Sequence, residues 1–468
     1  MLDAKRLRHD PTGIADALGR RGVPGDEVAA LVALDAEVRA AIAGRDGARA
    51  EVKRLSREVG AARKAGETDR AEALQAESRA AGEREKTGDV EATEVEARLR
   101  DALLRVPNTP APDAPDGAGP EDNVVLRAWT PDGRPLDEAA YASHQQVPHW
   151  DVARELGLLD LERGAKLSGA MFPLWRGQGA RLLRGLTQWA LDGHTEEGWE
   201  EIRPPTLVNT ATIGATGQLP KFAEDMYKVE RDDLWLIPTA EAPLTSMARD
   251  ELLDVGDLPL RFTAYTPCFR REAGSAGRDT RGLRRNHEFD KVELMAVCTA
   301  EQADAVFADI LGRAELLLRG LELPYRVLDL CAGDLGFSSM RTFDLEVYSP
   351  GVGEWEEVSS VSWFGDFQAR RAGTRHRVDG GGTALCHTVN GSALAWPRVV
   401  AALLETHRND DGTVTLPAAI RPWLGGLERL GQVGPATKEL DSPTGTTGRP
   451  PEAPPRSGAS AASLGEAL

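Results

Sequence analysis

From Leu31 to Val59 the chain repeats at alternating steps of three and four, through Leu31, Leu34, Val38, Ala41, Arg45, Ala48, Val52, Leu55 and Val59. Every position but Arg45 is apolar, which is the seam of a helix packed lengthwise against another helix. The pattern breaks around Gly60 to Gly66 and returns more weakly through Leu74, Ala81, Ala92, Val95, Leu99, Ala102 and Val106. Two helices of roughly 30 residues, each about 45 Å long, are predicted to fold back as an antiparallel hairpin. Gly44, Gly47, Gly82 and Gly88 each cost about 1 kcal/mol relative to alanine, so the arm is expected to be soft.

A proline-dense stretch from Val106 to Pro112 ends the helical pattern and reads as a linker. From about residue 120 to 425 strand-like runs, glycines and helical runs alternate, as in a compact α+β domain. Beyond Gly425 the chain turns to Pro, Gly, Ser, Thr and Ala, a composition that buries too little apolar surface to offset its ordering entropy. The expected organisation is an N-terminal domain over 1–106, with the arm over about 27–106. A linker follows at 107–122, then a core at 123–426 and a disordered tail at 427–468.

Composition narrows the class. Over 468 residues, 41% hydrophobic and 28% charged content describe a globular protein with material for a large core. No run of about 18 apolar residues appears, and Met1–Arg6 lacks the apolar stretch of a secretory signal, so a cytoplasmic location without a membrane partner is expected. The cysteines (Cys268, Cys298, Cys331, Cys386) are isolated, which argues against a zinc site or a disulfide framework. A formal net charge of −18 disfavours indiscriminate nucleic-acid binding, and DNA is not expected as a partner. It does not exclude a local phosphate site, because such contacts depend on where cations cluster. On the arm, Arg45, Arg49, Lys53, Arg54, Arg57, Arg63 and Lys64 face only Asp46, Glu51 and Glu58. Two readings stand: a solvated coiled-coil surface laced with i,i+4 pairs, or a rod that tracks phosphates.

Three segments carry candidate chemistry. In Leu234–Glu241 an apolar strand ends at Pro238 and delivers Thr239 and Glu241 together. Such a hydroxyl and carboxylate can hold an α-ammonium group, and a strand running into a helix N-cap gives the same pattern. Tyr265–Glu272 and His287–Met295 read as two strands joined by a long glycine- and arginine-rich loop. In the second strand His287, Phe289, Lys291 and Glu293 share one face. Arg270, at the end of the first, can therefore sit near a carboxylate, and its planar fork suits an α-phosphate. Loop residues Arg278 and Arg281 offer cations to a triphosphate or an RNA end. The third segment pairs Glu356–Ser360 with Asn390–Arg398. A carboxylate three residues before a hydroxyl makes an oxygen-rich Mg²⁺ site, and Arg398 could stack on a base.

Together these segments resemble the signature of seryl-tRNA synthetases, in a divergent, actinobacterial-type form. Pro204-Pro205 after an amphipathic helix resembles the family's motif 1, Phe269–Leu283 its motif 2 and Asn390–Arg398 its motif 3. Thr216–Phe222, Ile237–Leu244 and Asp366–Arg371 are further near-matches, so the resemblance covers residues 1 to about 426. It implies an α+β class II fold, an antiparallel six- or seven-stranded sheet flanked by helices, in a homodimer joined through motif 1. It also implies that ATP activates L-serine to seryl-adenylate, and that the acyl group then passes to tRNA(Ser), with tRNA(Sec) a further acceptor. On that resemblance serine would be bound by Thr239, Ala240, Glu241, Arg270, Glu293, Asn390 and Ser392. ATP would meet Arg270, Arg271, Glu272, Asn286, Glu357, Val358, Ser359, Ser360 and Arg398, and Mg²⁺ would meet Glu357 and Ser360. Arg270, Glu293 and Arg398 would be the catalytic set. Arg45, Arg49, Lys53, Arg54, Arg57, Arg278 and Arg281 would contact tRNA, the arm gripping the long variable arm largely by shape.

The chain departs from the family pattern near the expected site. Val361-Ser362-Trp363-Phe364 stand where Cys-Ser-Asn-Cys is usual, and Ala393, Trp396 and Pro397 alter motif 3. Asn286 stands where an apolar residue is common. Neutral drift is the plain explanation. Clustering around the adenylate pocket would instead mark a second-copy enzyme, resistant to an adenylate mimic or supplying Ser-tRNA to a biosynthetic pathway. A ligase charging a carrier protein would lack the long arm, and an inactive scaffold should have lost Arg270, Glu293 or Arg398.

Overall fold

The computed structural model describes residues 1–272 and 281–431; Arg278 and the tail beyond residue 431 lie outside the described residues. The two arm helices, Gly25–Lys64 and Thr68–Arg105, are longer than the sequence pattern predicts, each about 60 Å. The first runs straight through Gly60 and stops only at Gly66, whose φ of +77° is left-handed. There the Glu67 N–H reaches back to Ala62 O and the Gly66 N–H to Arg63 O, the paired bonds that close a helix on a glycine. A glycine inside a helix only weakens it, whereas one placed to adopt positive φ ends it.

The seam buries Val28, Leu31, Val38, Leu55 and Ala62 against Ala71, Ala81, Ala92, Leu99 and Leu103. Arg45, the odd member of the repeat, lies opposite Gly88, where an added Cβ would stand 3.3 Å from the Arg45 Cα. The helices approach closely at that point because Gly88 has no side chain. Several cations of the arm are already engaged: Arg49 bonds Glu85 at 2.8 Å across the hairpin, Arg54 bonds Glu58 at 2.6 Å, and Arg45 bonds Asp46 at 3.0 Å. Lys53 and Arg57 have no ion-pair partner among the described residues and stand exposed. At the base, helices Ala4–His9 and Pro11–Gly19 pack beside the hairpin, and Arg8 grips the buried Asp35 with two bonds of 2.9 and 3.0 Å.

The body is built on an eight-stranded sheet. Its strands in chain order are β1 (Val124–Trp129), β2 (Glu200–Glu201), β3 (Leu260–Phe269), β4 (Glu288–Cys298), β5 (Tyr325–Asp329), β6 (Arg341–Ser349), β7 (Glu354–Gly365) and β8 (His387–Ala395). Their order across the sheet is β1-β5-β6-β7-β8-β4-β3-β2. Seven strands run antiparallel as the resemblance implies; the eighth, β2, is a two-residue parallel edge against Phe262–Thr263, too short to leave a pattern in the sequence.

One sheet face carries Val292, Leu294 and Ala296 of β4, Leu345 and Val347 of β6, and Val358 and Val361 of β7 into the main core. Helices Gln178–Thr195, Ala303–Gly320 and Trp396–Thr406 cover that face with their apolar stripes. The opposite face packs two smaller apolar clusters, around Met295 and Val297, and between them carries the buried polar residues Glu293, Lys291 and Asn390, where the chemistry is found. No helix of the described residues is long and apolar enough to cross a membrane.

The proline-rich linker is pinned rather than free. Asn108 Nδ2 donates to Ser338 O at 3.0 Å and to Phe364 O at 2.8 Å, and the Ala111 N–H donates to Met340 O. Order continues past Gly426, since Arg429–Leu430 pair with Val414–Thr415; a two-residue strand among glycines and charges escapes a composition-based boundary. Arg21 ties the N-terminal helices to the body by donating to the carbonyls of Asn108 (2.8 Å), Ser339 (3.1 Å), Leu335 (2.5 Å) and Gly336 (2.8 Å). Burial without a carboxylate partner lowers its pKa to about 10.

Replacing Arg21 by methionine strands those carbonyls without a donor. The variant is expected to unfold more easily by about 2 kcal/mol, measured by thermal and urea unfolding against the parent chain.

Candidate active site

Period-two alternation sets the site. With Val292 and Leu294 directed into the core, Lys291 and Glu293 of β4 face the other way, and Glu293 lies opposite Ala264 of β3 and Ser392 of β8. The short strand Leu234–Leu236, paired with Leu207–Asn209, runs through Pro238 to bring Thr239 to the same place. A buried carboxylate must be paired, and Glu293 is: Asn390 Nδ2 donates to Oε1 at 2.9 Å, Thr239 Oγ1 to Oε2 at 3.2 Å, and Lys291 forms an ion pair with it. Lys291 Nζ also donates to Thr239 Oγ1 at 2.7 Å, fixing that hydroxyl as a donor toward Glu293. Lys291 was read from the sequence as sharing this face and not as a site residue.

Glu241 forms the neighbouring wall. It opens the helix Glu241–Ser246, and Gln368 Nε2 donates to its Oε1 at 2.6 Å. Burial, reinforced by the nearby Glu293 charge, pushes its carboxyl up to about 7; Gln368, Lys291 and Arg270 oppose that rise. Ala240, between Thr239 and Glu241, is wholly buried in a small apolar cluster. The arrangement is a pair of acceptors lined for an ammonium group and a hydroxyl.

Beyond Glu293 the pocket opens along Arg270, Glu272, Phe289, Glu357, Val358, Ser392 and Arg398. The Arg270 guanidinium lies over the Phe289 ring at 5.1 Å, and Arg270 Nε reaches Pro238 O at 3.4 Å. Glu272 accepts from Arg285 at 2.9 Å, and Arg398 donates to Arg284 O at 3.0 Å and Glu357 O at 2.7 Å. Asn286 also lines the pocket, and its buried Oδ1 has no hydrogen-bond partner among the described residues. Arg284 and Arg285 line the same wall and are not singled out in the sequence.

Three predicted residues lie elsewhere. Arg271 turns away to donate to Glu224 O at 2.7 Å. Ser359 lies on the core side, where its hydroxyl donates to Ser392 O at 2.6 Å as a strut between strands. Arg281 stands exposed where the described chain resumes after the motif 2 loop. Oxygen-bearing side chains share the site face, although among the described residues no three acidic, histidine or cysteine side chains converge as a metal-binding group. Ser360 pairs across the strands with Asp344, and Glu357 with Glu346. Asp344 Oδ1 is buried with no hydrogen-bond partner among the described residues, and burial together with the Glu357 charge holds its pKa well above the usual carboxylate range. Carboxylate and hydroxyl oxygens are the ligand type a magnesium ion takes, and phosphate oxygens of a bound nucleotide would be needed to complete such a shell.

The departures from the family pattern mostly avoid the pocket, contrary to the sequence expectation. Val361 and Ala393 are fully buried in the main core, and Trp363 packs against that core near Phe307. Alternation accounts for this, because residues next to a pocket-facing one point to the opposite face. Ser392 reaches the site face in regular register with Glu293, and the pairing becomes irregular only beyond it, where Leu394 has φ +94° and is buried in the core. Pro397 lines the pocket at the start of the Trp396–Thr406 helix, where its missing N–H is tolerated.

One buried relay seats the motif 2 loop where it returns to β4. Glu405 Oε1 accepts from His149 Nδ1 at 2.8 Å, and its Oε2 accepts from the Gly351 N–H at 2.9 Å. His149 Nε2 then accepts the Leu283 N–H at 3.0 Å. Gly282 has φ +63°, and a Cβ there would meet His149 Nε2 at 2.4 Å.

Residues 1–110 match the family model of the seryl-tRNA synthetase N-terminal domain, and residues 227–407 match that of the tRNA synthetase class II core domain (G, H, P, S and T). A serine–tRNA ligase of Prochlorococcus marinus (strain MIT 9303) is 46% identical over 429 residues, covering 91% of this chain and 98% of that protein. One from Pelotomaculum thermopropionicum is 46% identical over 434 residues, covering 92% and 100%. Among solved structures, the seryl-tRNA synthetase of Pyrococcus horikoshii complexed with ATP superposes with a TM-score of 0.85 at 34% identity, covering 92% of this chain and 99% of that one. The cytoplasmic serine-tRNA ligase of Naegleria fowleri, in complex with AMP, superposes with a TM-score of 0.82 at 25% identity, covering 92% and 98%.

Gly282→Ala is expected to cost about 2 kcal/mol through positive φ and the His149 contact. His149→Ala alone also costs stability, because it leaves Glu405 buried without its partner. On that background Gly282→Ala should cost less than in the parent but still more than half as much, since only the contact is relieved, and unfolding measurements on the four chains of the cycle check this.

Proposed function

The chain belongs to the seryl-tRNA synthetase family, the class II ligases that join serine to tRNA, and from that premise we propose how its own residues carry the reaction. Serine binds with its ammonium between Glu241 and Thr239 and its hydroxyl toward Glu293, with Asn390 and Ser392 closing the wall. The fully buried, triply held Glu293 is the observation that supports this reading most directly. An amino acid without the hydroxyl would leave that acceptor short of a partner, which is how such a site rejects close analogues.

Arg270 lies between serine and nucleotide, where its fork spans the serine carboxylate and the ATP α-phosphate. A carboxylate oxygen of serine attacks the α-phosphorus, the bond to the β-phosphate bridging oxygen breaks, and pyrophosphate leaves with that electron pair. Glu272 and Asn286 present acceptors to the adenine edge, and Arg398, held by the Arg284 and Glu357 carbonyls, faces the purine. Glu357 and Ser360, with Asp344 behind them, would hold Mg²⁺, which supplies charge neutralisation for the triphosphate. The protein's part is positioning and fixed charge rather than nucleophilic attack. A 3′-terminal ribose hydroxyl of tRNA then attacks the acyl carbon, and AMP leaves.

The arm over about 27–106 presents Lys53 and Arg57 as free cations to the backbone of tRNA(Ser). Arg45, Arg49 and Arg54 would exchange their surface ion pairs, worth little in water, for phosphates. We further assign a cytoplasmic homodimer joined through the segment around Pro204-Pro205, with the catalytic body beginning after the linker at 107–122.

Serine-dependent exchange of labelled pyrophosphate into ATP tests the first step, and charging of tRNA(Ser) by the full chain and by an arm deletion tests the second. A folded chain that shows neither, or that exchanges equally well with alanine, defeats the proposal. Glu293→Gln should lower serine-dependent exchange at least about 100-fold. Because Glu241 must be ionised to hold the ammonium and its carboxyl titrates near 7, the KM for serine should rise about tenfold between pH 8 and pH 6. Glu241→Gln should flatten that slope.

A further inference from the structure

The six-residue helix Phe367–Ala372 joins two regions that the reaction uses separately. Its second residue, Gln368, is fully buried. Gln368 Nε2 donates to Glu241 Oε1 at 2.6 Å and approaches Thr216 O at 3.4 Å, while Gln368 Oε1 accepts from Thr388 Oγ1 at 2.7 Å. An ionised carboxylate only accepts, so the nitrogen end of the amide has to face Glu241, and the Thr388 hydroxyl occupies the other end. With Oε1 taken, Oε2 is the Glu241 oxygen left for a ligand.

The helix cannot drift to relax this contact. Arg371 donates to Leu104 O at the base of the arm (2.7 Å), and to Leu219 O (3.0 Å) and Gly214 O (3.3 Å) in the body. The Met1 nitrogen donates to Phe367 O at 2.6 Å, and Arg370 pairs with Asp3 at 3.2 Å. The N-terminal domain thus grips the helix at three of its residues.

We propose that Gln368 is a positioning residue for the serine site, holding the Glu241 carboxylate in the orientation that receives the substrate ammonium, with the N-terminal domain fixing Gln368 in turn. This rests on the assignment of Glu241 to serine made above. It gives the amino-acid pocket a direct structural dependence on the domain that carries the arm.

Gln368→Met and Gln368→Glu in the full chain test it, through serine and ATP KM values in pyrophosphate exchange from pH 6 to 8.5. Besides Gln368, the charged groups facing the Glu241 carboxyl are Glu293 and Lys291 of β4 and Arg270 beyond β3. The methionine variant should raise the serine KM tenfold or more and leave the ATP KM within twofold. In the glutamate variant, two carboxyls meet. A single shared proton restores one donor and one negative charge, so its serine KM should fall as pH drops from 8 to 6, opposite to the parent. A serine KM within twofold of the parent in the methionine variant, or serine and ATP KM values rising together, overturns the role. If the methionine variant does not fold, the glutamate variant decides by the sign of its pH slope, and a parent-like slope overturns the role. A parent chain without serine-dependent exchange overturns the serine assignment itself, whereas these outcomes in an active parent overturn the role of Gln368 alone.

Discussion

A negative charge taken out of water has to be met by donors, and Glu293 is where this requirement shapes the molecule. Asn390, Thr239 and Lys291 come from a central strand, a loop after a small sheet and the same strand as Glu293 itself. Each needs its backbone held at the correct height and face. The antiparallel register of β3, β4 and β8 supplies two of them, and the three-stranded side sheet delivers the third. Shifting any of these strands by one residue would turn the polar set into the core and the core outward. The pocket is therefore not attached to the fold; it is one face of the register.

The nucleotide end follows a different logic. Arg270, Arg284, Arg285 and Arg398 crowd one wall, and like charges at that density require acceptors to keep them apart. Backbone carbonyls and Glu272, Glu354 and Glu356 provide these before any phosphate arrives. The wall is thus set in place ahead of ligand binding, and the cost of ordering it falls on folding rather than on catalysis.

Much of this was legible in the sequence. The heptad repeat gave the hairpin, the proline stretch its end, and the alternation in His287–Met295 the shared face of Phe289, Lys291 and Glu293. What escaped was set by tertiary contact. Arg45 breaks the seam pattern because of Gly88 on the other helix, 43 residues away in a chain where no local signal links them. Asp344 is not singled out in the sequence, and Gln368 falls only within the Asp366–Arg371 near-match, without a role; strand pairing and the contact with Glu241 give them neighbours that matter. The apparent alterations at Val361, Trp363 and Ala393 were misplaced because proximity along the chain was taken for proximity to the pocket. In a strand, adjacent residues lie on opposite faces, so in β8 Ala393 enters the core directly after the site-facing Ser392.

The meeting of Arg45 and Gly88 also keys the hairpin. A heptad slide would set Ala81 or Val95 against the Arg45 backbone, and the Cβ of either would fall where Gly88 leaves room, so the slide is resisted even though the apolar repeat alone would permit it. An arm lengthened on one strand only, or lengthened equally but with that glycine moved, would lose its reference mark. Matched insertions toward the Gly66 tip, beyond the notch, would instead lengthen the arm and leave that mark in place.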